Sequence, residues 1–207
     1  MPDYAVLDAA LTRAGVPFTK EESMAAHTSF KIGGPADRFL RIADAAALSA
    51  ALRALREVAV PYFVLGNGSN LLVPDEGLRG AVLALEGSFK AVELTGSGRL
   101  LCGSGASLAS ICAFARSNAL TGLEFAWGIP GSLGGALYMN AGAYGGEMKQ
   151  VVSRVWFLEP DGTPASLAGE ALCFGYRTSA FTNTKRAITK AELQLESGAE
   201  AEITAKM

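Results

Sequence analysis

Histidine is almost missing from this chain: His27 is the only one in 207 residues. Any Ser-His-Asp triad has to use it, and a His-rich metal centre is excluded, so no metal is expected. Cysteine is scarce as well. Cys102, Cys112 and Cys173 are odd in number and unclustered, which excludes a disulfide framework and suits small buried apolar groups in a reducing cytoplasm. Basic charge is scattered, 18 Lys and Arg against 20 Asp and Glu for a net charge of −2. Neither nucleic acid nor an anionic membrane is therefore an expected partner. Apolar runs of bilayer-spanning length do not occur. The opening MPDYAVLDAALTRAGVPF lacks the basic start and unbroken apolar stretch of a signal peptide; it patterns as an amphipathic helix with Leu7, Ala10, Leu11 and Ala14 on one face. Two nucleotide fingerprints are missing too: there is no G-x-G-x-x-G and no G-K-[ST].

What is abundant is glycine, 24 residues, in a chain that is 50% hydrophobic. Eight of the 24 fall in GLEFAWGIPGSLGGALYMNAGAYGG, Gly122–Gly146. Linker glycine comes with serine and charge, whereas this run mixes it with Leu, Phe, Trp, Ile and Met. It suits a buried loop whose backbone comes close to a ligand because no Cβ intervenes; a plain set of turns is the alternative. Within it, GIPGSLGGA (Gly128, Ile129, Pro130, Gly131, Ser132, Leu133, Gly134, Gly135, Ala136) is expected to open a short helix, with Ser132 and free N–H groups suited to a phosphate. About 60 residues earlier GNGSN (Gly66, Asn67, Gly68, Ser69, Asn70) follows a strand and can form a second anion nest. Two such loops facing each other could hold a pyrophosphate; a purely structural GNGSN is the alternative.

The element pattern is mixed. Asp44 can cap a helix with Leu48, Ala51, Leu52 and Leu55 on its apolar face. Pro61–Leu65 suits a buried strand, and Leu71–Val73 another extended piece. Gly80–Leu85, Ala91–Leu94, Leu100–Gly103 and Val151–Leu158 suit strands, and Ser107 can cap a helix to Ala119. Asp161-Gly162 makes a turn. Ala187–Leu195 alternates, with Ala187, Thr189, Ala191, Leu193 and Leu195 opposite a wet face that includes Ile188. The expectation is a small α/β lobe over 1–79 and a larger mixed-sheet α+β lobe over 80–207. From Gly198 a helical pattern begins and stops at Met207, which suits either a chain that ends within an element or a frayed terminal helix. In FGYRTSAF, Phe174–Phe181, Arg177 beside Tyr176 suits either a structural ion pair or stabilisation of an enolate or carboxylate. His27 suits a hydrogen-bonded structural role.

HTSFKIGGPADRF, VLGNGSNLLV, LTGLEFAWGIPGSLGGALYMNAGAYGGEM and FGYRTSAF occur in that order. Through them the chain resembles the UDP-N-acetylenolpyruvoylglucosamine reductase family, in its shorter, second type, from about residue 20 onward. The resemblance implies a two-lobed FAD-binding fold of the vanillyl-alcohol-oxidase (PCMH) type followed by a substrate domain. It implies non-covalent FAD, NADPH as reductant and a UDP-sugar enolpyruvyl ether as substrate, reduced to UDP-N-acetylmuramate for peptidoglycan synthesis. By position, Arg177 matches the arginine that stabilises the enol intermediate, and Tyr144 and Tyr176 match substrate-contacting tyrosines. Gly66–Asn70 and Gly128–Ala136 match the FAD pyrophosphate loops, with Asn140, Gly142 and Ile188 also implied at the cofactor.

The family's proton-donating serine, in a P-S-[AC]-G-S stretch, and its late glutamate have no match here. The expectation is a chain stopping before the substrate domain, holding FAD but turning over weakly or not at all. A monomer is expected for the full-length family and self-association for this chain. Another flavin oxidase or dehydrogenase of the same fold, and a non-catalytic FAD-binding module, stay open as alternatives.

Overall fold

The computed structural model describes residues 3–207, so the first two residues of the N-terminal segment lie outside the described residues. The first lobe runs α1 (Tyr4–Arg13), β1 (Phe18–Ser23), β2 (Pro35–Ile42), α2 (Ala45–Glu57), β3 (Tyr62–Leu65) and β4 (Leu78–Leu85). Its sheet has the order β1-β2-β4-β3. β1 is antiparallel to β2, while β4 is parallel to both its neighbours. Parallel central strands are buried on both faces, and β2 and β4 serve two cores in alternation. Leu40, Ile42 and Leu83 pack with Leu7 and Leu11 of α1 and with Leu48, Leu52 and Leu55 of α2. Phe39 and Val82 point the other way, to Met24, Leu65 and Val73. Asp44 starts α2 by accepting the Ala47 N–H at 2.8 Å, a cap worth about 1 kcal/mol.

Helix α1 is fastened to the sheet by charge. Arg38 on β2, 9% exposed, donates from Nε and Nη2 to the two Asp8 oxygens at 2.6 and 3.0 Å, and Lys20 reaches Asp8 at 2.8 Å. Burial alone would raise the Asp8 carboxyl, but the Arg38 and Lys20 bonds outweigh it and hold it below its usual range. Tyr4 OH donates to Asp37 at 2.6 Å; burial, then that bond, pushes the phenol up to about 12.

The second lobe continues with β5 (Val92–Gly96), β6 (Arg99–Gly103), α3 (Leu108–Ser117), β7 (Leu120–Thr121), α4 (Leu133–Tyr138), β8 (Gly142–Ala143), β9 (Gly146–Glu147), β10 (Val152–Leu158), β11 (Pro164–Ala168), β12 (Ala187–Gln194), β13 (Glu196–Ser197) and α5 (Glu200–Lys206). Its five-stranded sheet, β11-β10-β12-β6-β5, is antiparallel throughout. It packs against α3 and α4 through Leu100, Ile111, Leu137, Val155 and Leu193. A back seam joins the lobes. Leu158 and Ala187 belong to the first lobe's core, Ser49 Oγ donates to the Gly162 carbonyl at 3.0 Å, and Tyr62 OH donates to the Lys185 carbonyl.

Several expectations shift. The division at Arg79 falls inside β4, whose partners β2 and β3 keep it in the first sheet through Leu85. The mixed pairing expected of the larger lobe sits in the smaller one. Pro61–Leu65 yields an edge strand with Phe63 exposed, and Leu71–Val73 forms no strand. β1 and β2 lay hidden because Glu22, Asp37 and Arg38 interrupt the apolar pattern. The alternation of β12 breaks at Thr189, where a register shift against β10 turns Ile188 into the second core. The terminal helix has a partner: Ile203 is 2% exposed, and Met207 packs against the second core.

Cys102 and Cys112 are buried as expected, but Cys173 is exposed. Burial pushes both inner thiols up to about 12, and only thiolates react with disulfide reagents. A thiol-titrating reagent should label Cys173 alone in the native chain, and the other two cysteines only after denaturation. Asp8→Asn should cost about 1–3 kcal/mol in urea unfolding at pH 7, because the buried Arg38 loses its carboxylate. Since the folded Asp8 is depressed, its contribution is full above the unfolded value and fades as pH falls through the folded one. The gap between variant and wild type should therefore close below about pH 4.

Candidate functional site

The two glycine loops meet across the lobes. Ser69 Oγ, on the turn after β3, donates to the Pro130 carbonyl at 2.6 Å. A Cβ built on Gly66 would sit 2.5 Å from Ser132 Oγ, so a glycine is what lets the turn lie against α4. Gly68 has φ +63°, and a Cβ there would collide with the His27 carbonyl. The turn is pinned from that side by Ser29 N–H donating to the Gly68 carbonyl at 3.1 Å.

The backbone N–H groups of Asn67, Gly68, Ser69 and Asn70 have no hydrogen-bond partner among the described residues. Successive free N–H groups on one turn form an anion nest. The start of α4 is different from expectation. Leu133 N–H donates to the Ala106 carbonyl at 2.9 Å and Gly134 N–H to the Ser104 carbonyl at 2.7 Å. Ser132 Oγ accepts from Gly135 N–H at 3.5 Å. Two of the donors expected free there, Leu133 and Gly134, are engaged by a third loop, Gly103–Ser107, whereas the Gly131 and Ser132 N–H groups have no partner among the described residues. That third loop was not anticipated, although GSGAS between a strand and a helix is a visible signal. Its Ser104 hydroxyl is buried without a partner.

These loops line a cleft of about 290 Å³, with Gly66 and Asn67 on one side, Gly105 and Ser132 on the other, and Lys31 and Lys90 adding positive charge. Pockets for small ligands run about 300–1,000 Å³, so the cleft has room for part of a dinucleotide and not the whole of it. The donor set fits an FAD pyrophosphate: unpaired N–H groups, backbone-thin turns and unpaired lysines. His27 forms part of the wall with its ring stacked on Phe39 at 4.1 Å and Nε2 bonded to Glu22 at 2.8 Å. That contact, with Thr19, holds the Glu22 carboxyl below its usual range.

The other expected residues are distributed along the same layer. Ile129 is half-buried against the second core, and Ala136 and Ile188 are buried in it. Gly142 pairs with Glu147 in the β8–β9 hairpin, and neither Gly142 nor Asn140 lines the cleft. Asn140 is 3% exposed, with its amide bonded inside the protein. Tyr144 and Tyr176 are 93% and 92% exposed. Arg177 is exposed at φ +54° and has no carboxylate partner among the described residues, which disfavours the structural ion pair. Its loop is docked on the far end of α4: Ser179 Oγ and Thr182 Oγ1 donate to the Tyr138 carbonyl at 2.8 and 2.9 Å. The six residues of α4 thus bridge cleft and arginine loop, about 9 Å at 1.5 Å per residue.

A family model described as an FAD binding domain matches residues 36–168, well over half of the chain. The chain is 42% identical over 187 residues to the UDP-N-acetylenolpyruvoylglucosamine reductase of Clostridioides difficile (strain 630), covering 90% of this chain and 61% of that protein. It is 40% identical over 206 residues to the protein of the same name from Carboxydothermus hydrogenoformans, covering 99% and 68%. The crystal structure of UDP-N-acetylenolpyruvylglucosamine reductase (MurB) from Thermus caldophilus superposes with a TM-score of 0.79 at 34% identity, over 93% of this chain and 66% of that one. The chain thus spans about three fifths of the length of the first of these relatives. The expected two-lobed FAD-binding fold agrees with both the family model and the superposition.

Ser69→Ala should cost about 1 kcal/mol, the worth of one neutral hydrogen bond, and weaken FAD binding. Gly68→Ala should be worse than about 1 kcal/mol, since it combines positive φ with a backbone collision. Urea unfolding and flavin fluorescence titration would measure both.

Proposed function

The chain belongs to the UDP-N-acetylenolpyruvoylglucosamine reductase family, and from that premise we propose that it is the FAD-binding part of a cytoplasmic, NADPH-dependent reductase of a UDP-sugar enolpyruvyl ether. The observation that carries the reading is the row of unpaired N–H groups from Asn67 to Asn70 on the turn whose Gly66 and Asn67 line the cleft together with Ser132. Those groups would hold the pyrophosphate, assisted by Lys31 and Lys90. His27 is held by Glu22 and Phe39, which supports retention of FAD without a covalent bond. The chemistry such a cofactor supplies when bound is hydride relay, from NADPH through N5 to the enolpyruvyl double bond.

Arg177 has the role of charge stabilisation. A guanidinium keeps its proton at any working pH, and an unpaired one is available to the enolate that develops next to a carboxylate as hydride arrives. Its exposure and its lack of an internal partner support that role. Tyr144 and Tyr176, on neighbouring segments, offer aromatic surface and a hydroxyl to the substrate. The product is UDP-N-acetylmuramate, used in peptidoglycan synthesis.

The purified chain should be yellow, with flavin absorbance that mild denaturation releases as free FAD. A colourless protein unable to take up added FAD would refute the reading. Substrate-dependent NADPH oxidation, expected to be weak because the family's proton-donating serine has no match here, tests the reaction, and Arg177→Met should lower whatever rate is present about 10²–10³-fold while leaving FAD affinity within about two-fold, a change too small to represent one lost hydrogen bond.

A further inference from the structure

Asn140 was expected at the cofactor, but its bonds lead to the arginine loop. It is 3% exposed and holds φ +44°, a conformation asparagine tolerates better than most residues. Nδ2 donates to Glu147 Oε2 at 2.9 Å and to the Gly175 carbonyl at 3.0 Å, while Oδ1 accepts the Lys149 N–H at 2.9 Å. The amide has two hydrogens, and both are committed.

Gly175 and Thr178 close on each other, N–H to carbonyl at 3.1 and 3.4 Å, so Tyr176 and Arg177 form the tip of a tight turn. Neither tip residue makes a hydrogen bond of its own among the described residues. C-terminal to the tip, Ser179 and Thr182 anchor the chain to the Tyr138 carbonyl, and the Asn183 N–H donates to Tyr138 OH at 2.9 Å. N-terminal to it, the Gly175 carbonyl is the last fixed point, and Asn140 alone holds that carbonyl from outside the turn.

We propose that Asn140 is a positioning residue for Arg177: it ties the β8–β9 hairpin, through Glu147 and Lys149, to the turn that carries the guanidinium, and does not itself bind the cofactor. The inference rests on the function proposed above only for what Arg177 does; the placement of the turn is independent of it. Asparagine suits the task because its short amide supplies two donors and one acceptor from a backbone that must turn at φ > 0. Among the groups bonded to this side chain Glu147 is the one charged side chain; Lys149 meets it through its backbone.

The test is amide hydrogen exchange on the full chain with FAD present, comparing wild type with Asn140→Asp. The substitution keeps the shape but sets an acceptor against the Glu147 carboxylate and the Gly175 carbonyl. Exchange at the Gly175 and Thr178 amides, which bond across the turn, should rise about ten-fold at pH 7.5, the equivalent of one lost hydrogen bond, while β2 and β4 stay protected. Relative to an unstructured peptide at the same pH, protection should return below about pH 4, where the introduced carboxyl regains a donor hydrogen. FAD affinity should change less than about two-fold, short of one lost bond. Unchanged exchange at the turn would overturn the inference, as would equal loosening of β2 and β4, or a large loss of FAD affinity with the turn still protected. If Asn140→Asp does not fold, Asn140→Gly keeps the backbone conformation and should loosen the same turn without recovery at low pH. Failure of wild type to bind FAD would refute the proposed function, and the exchange comparison would still decide this one.

Discussion

Contact between two glycine turns sets the width of the cleft, and the rest of the site depends on that width. Ser69 reaches the Pro130 carbonyl, and Gly66 lies against Ser132 with no room for a Cβ. Because the turns touch, the turn that carries the unpaired N–H groups of Asn67–Asn70 is held against the start of α4. Because α4 starts there, its other end delivers Tyr138 and Asn140 to the arginine loop. A side chain added at Gly66 would therefore be felt at both ends of the helix.

Strain gathers at the far end. Nine non-glycine residues have positive φ among those described, and five of them, Asn140, Tyr144, Cys173, Arg177 and Asn183, lie on the hairpin and loop around Arg177. Such conformations cost on the order of 1 kcal/mol each and persist only where surrounding bonds hold them. Here the bonds from Asn140, Ser179 and Thr182 offset them. The cleft end needs mostly glycine, the arginine-loop end mostly hydrogen-bonded polar residues.

The apolar periods of α2 and α3, with Asp44 and Ser107 as caps, were legible in the sequence because local pattern and burial coincide there. β2 was not, because its buried charges have partners 30 and 43 residues away: Arg38 needs Asp8, and Gly80 N–H needs Asp37; β1 was not, because most of its residues, TKEES, are polar and exposed or half-buried. The register shift that buries Ile188 depends on pairing with β10, which no local period encodes. At the site, the two turns were visible from glycine spacing, whereas the occupation of the α4 donors by Ser104 and Ala106 was not, since it depends on how a third loop packs. Asn140 was noticed for its place in a motif; its bonds to Glu147, Lys149 and Gly175 exist only after folding.

The back seam has a kinetic consequence. Tyr62 and Ser49 fasten the lobes to Lys185 and Gly162 on one side, Leu158 and Ala187 fill the first core, and Ser69 closes the other side. A jaw secured at both hinge and tip has no easy opening stroke. A cofactor held in the cleft would then exchange at a rate that depends on opening of the clasp as well as on the strength of its own contacts.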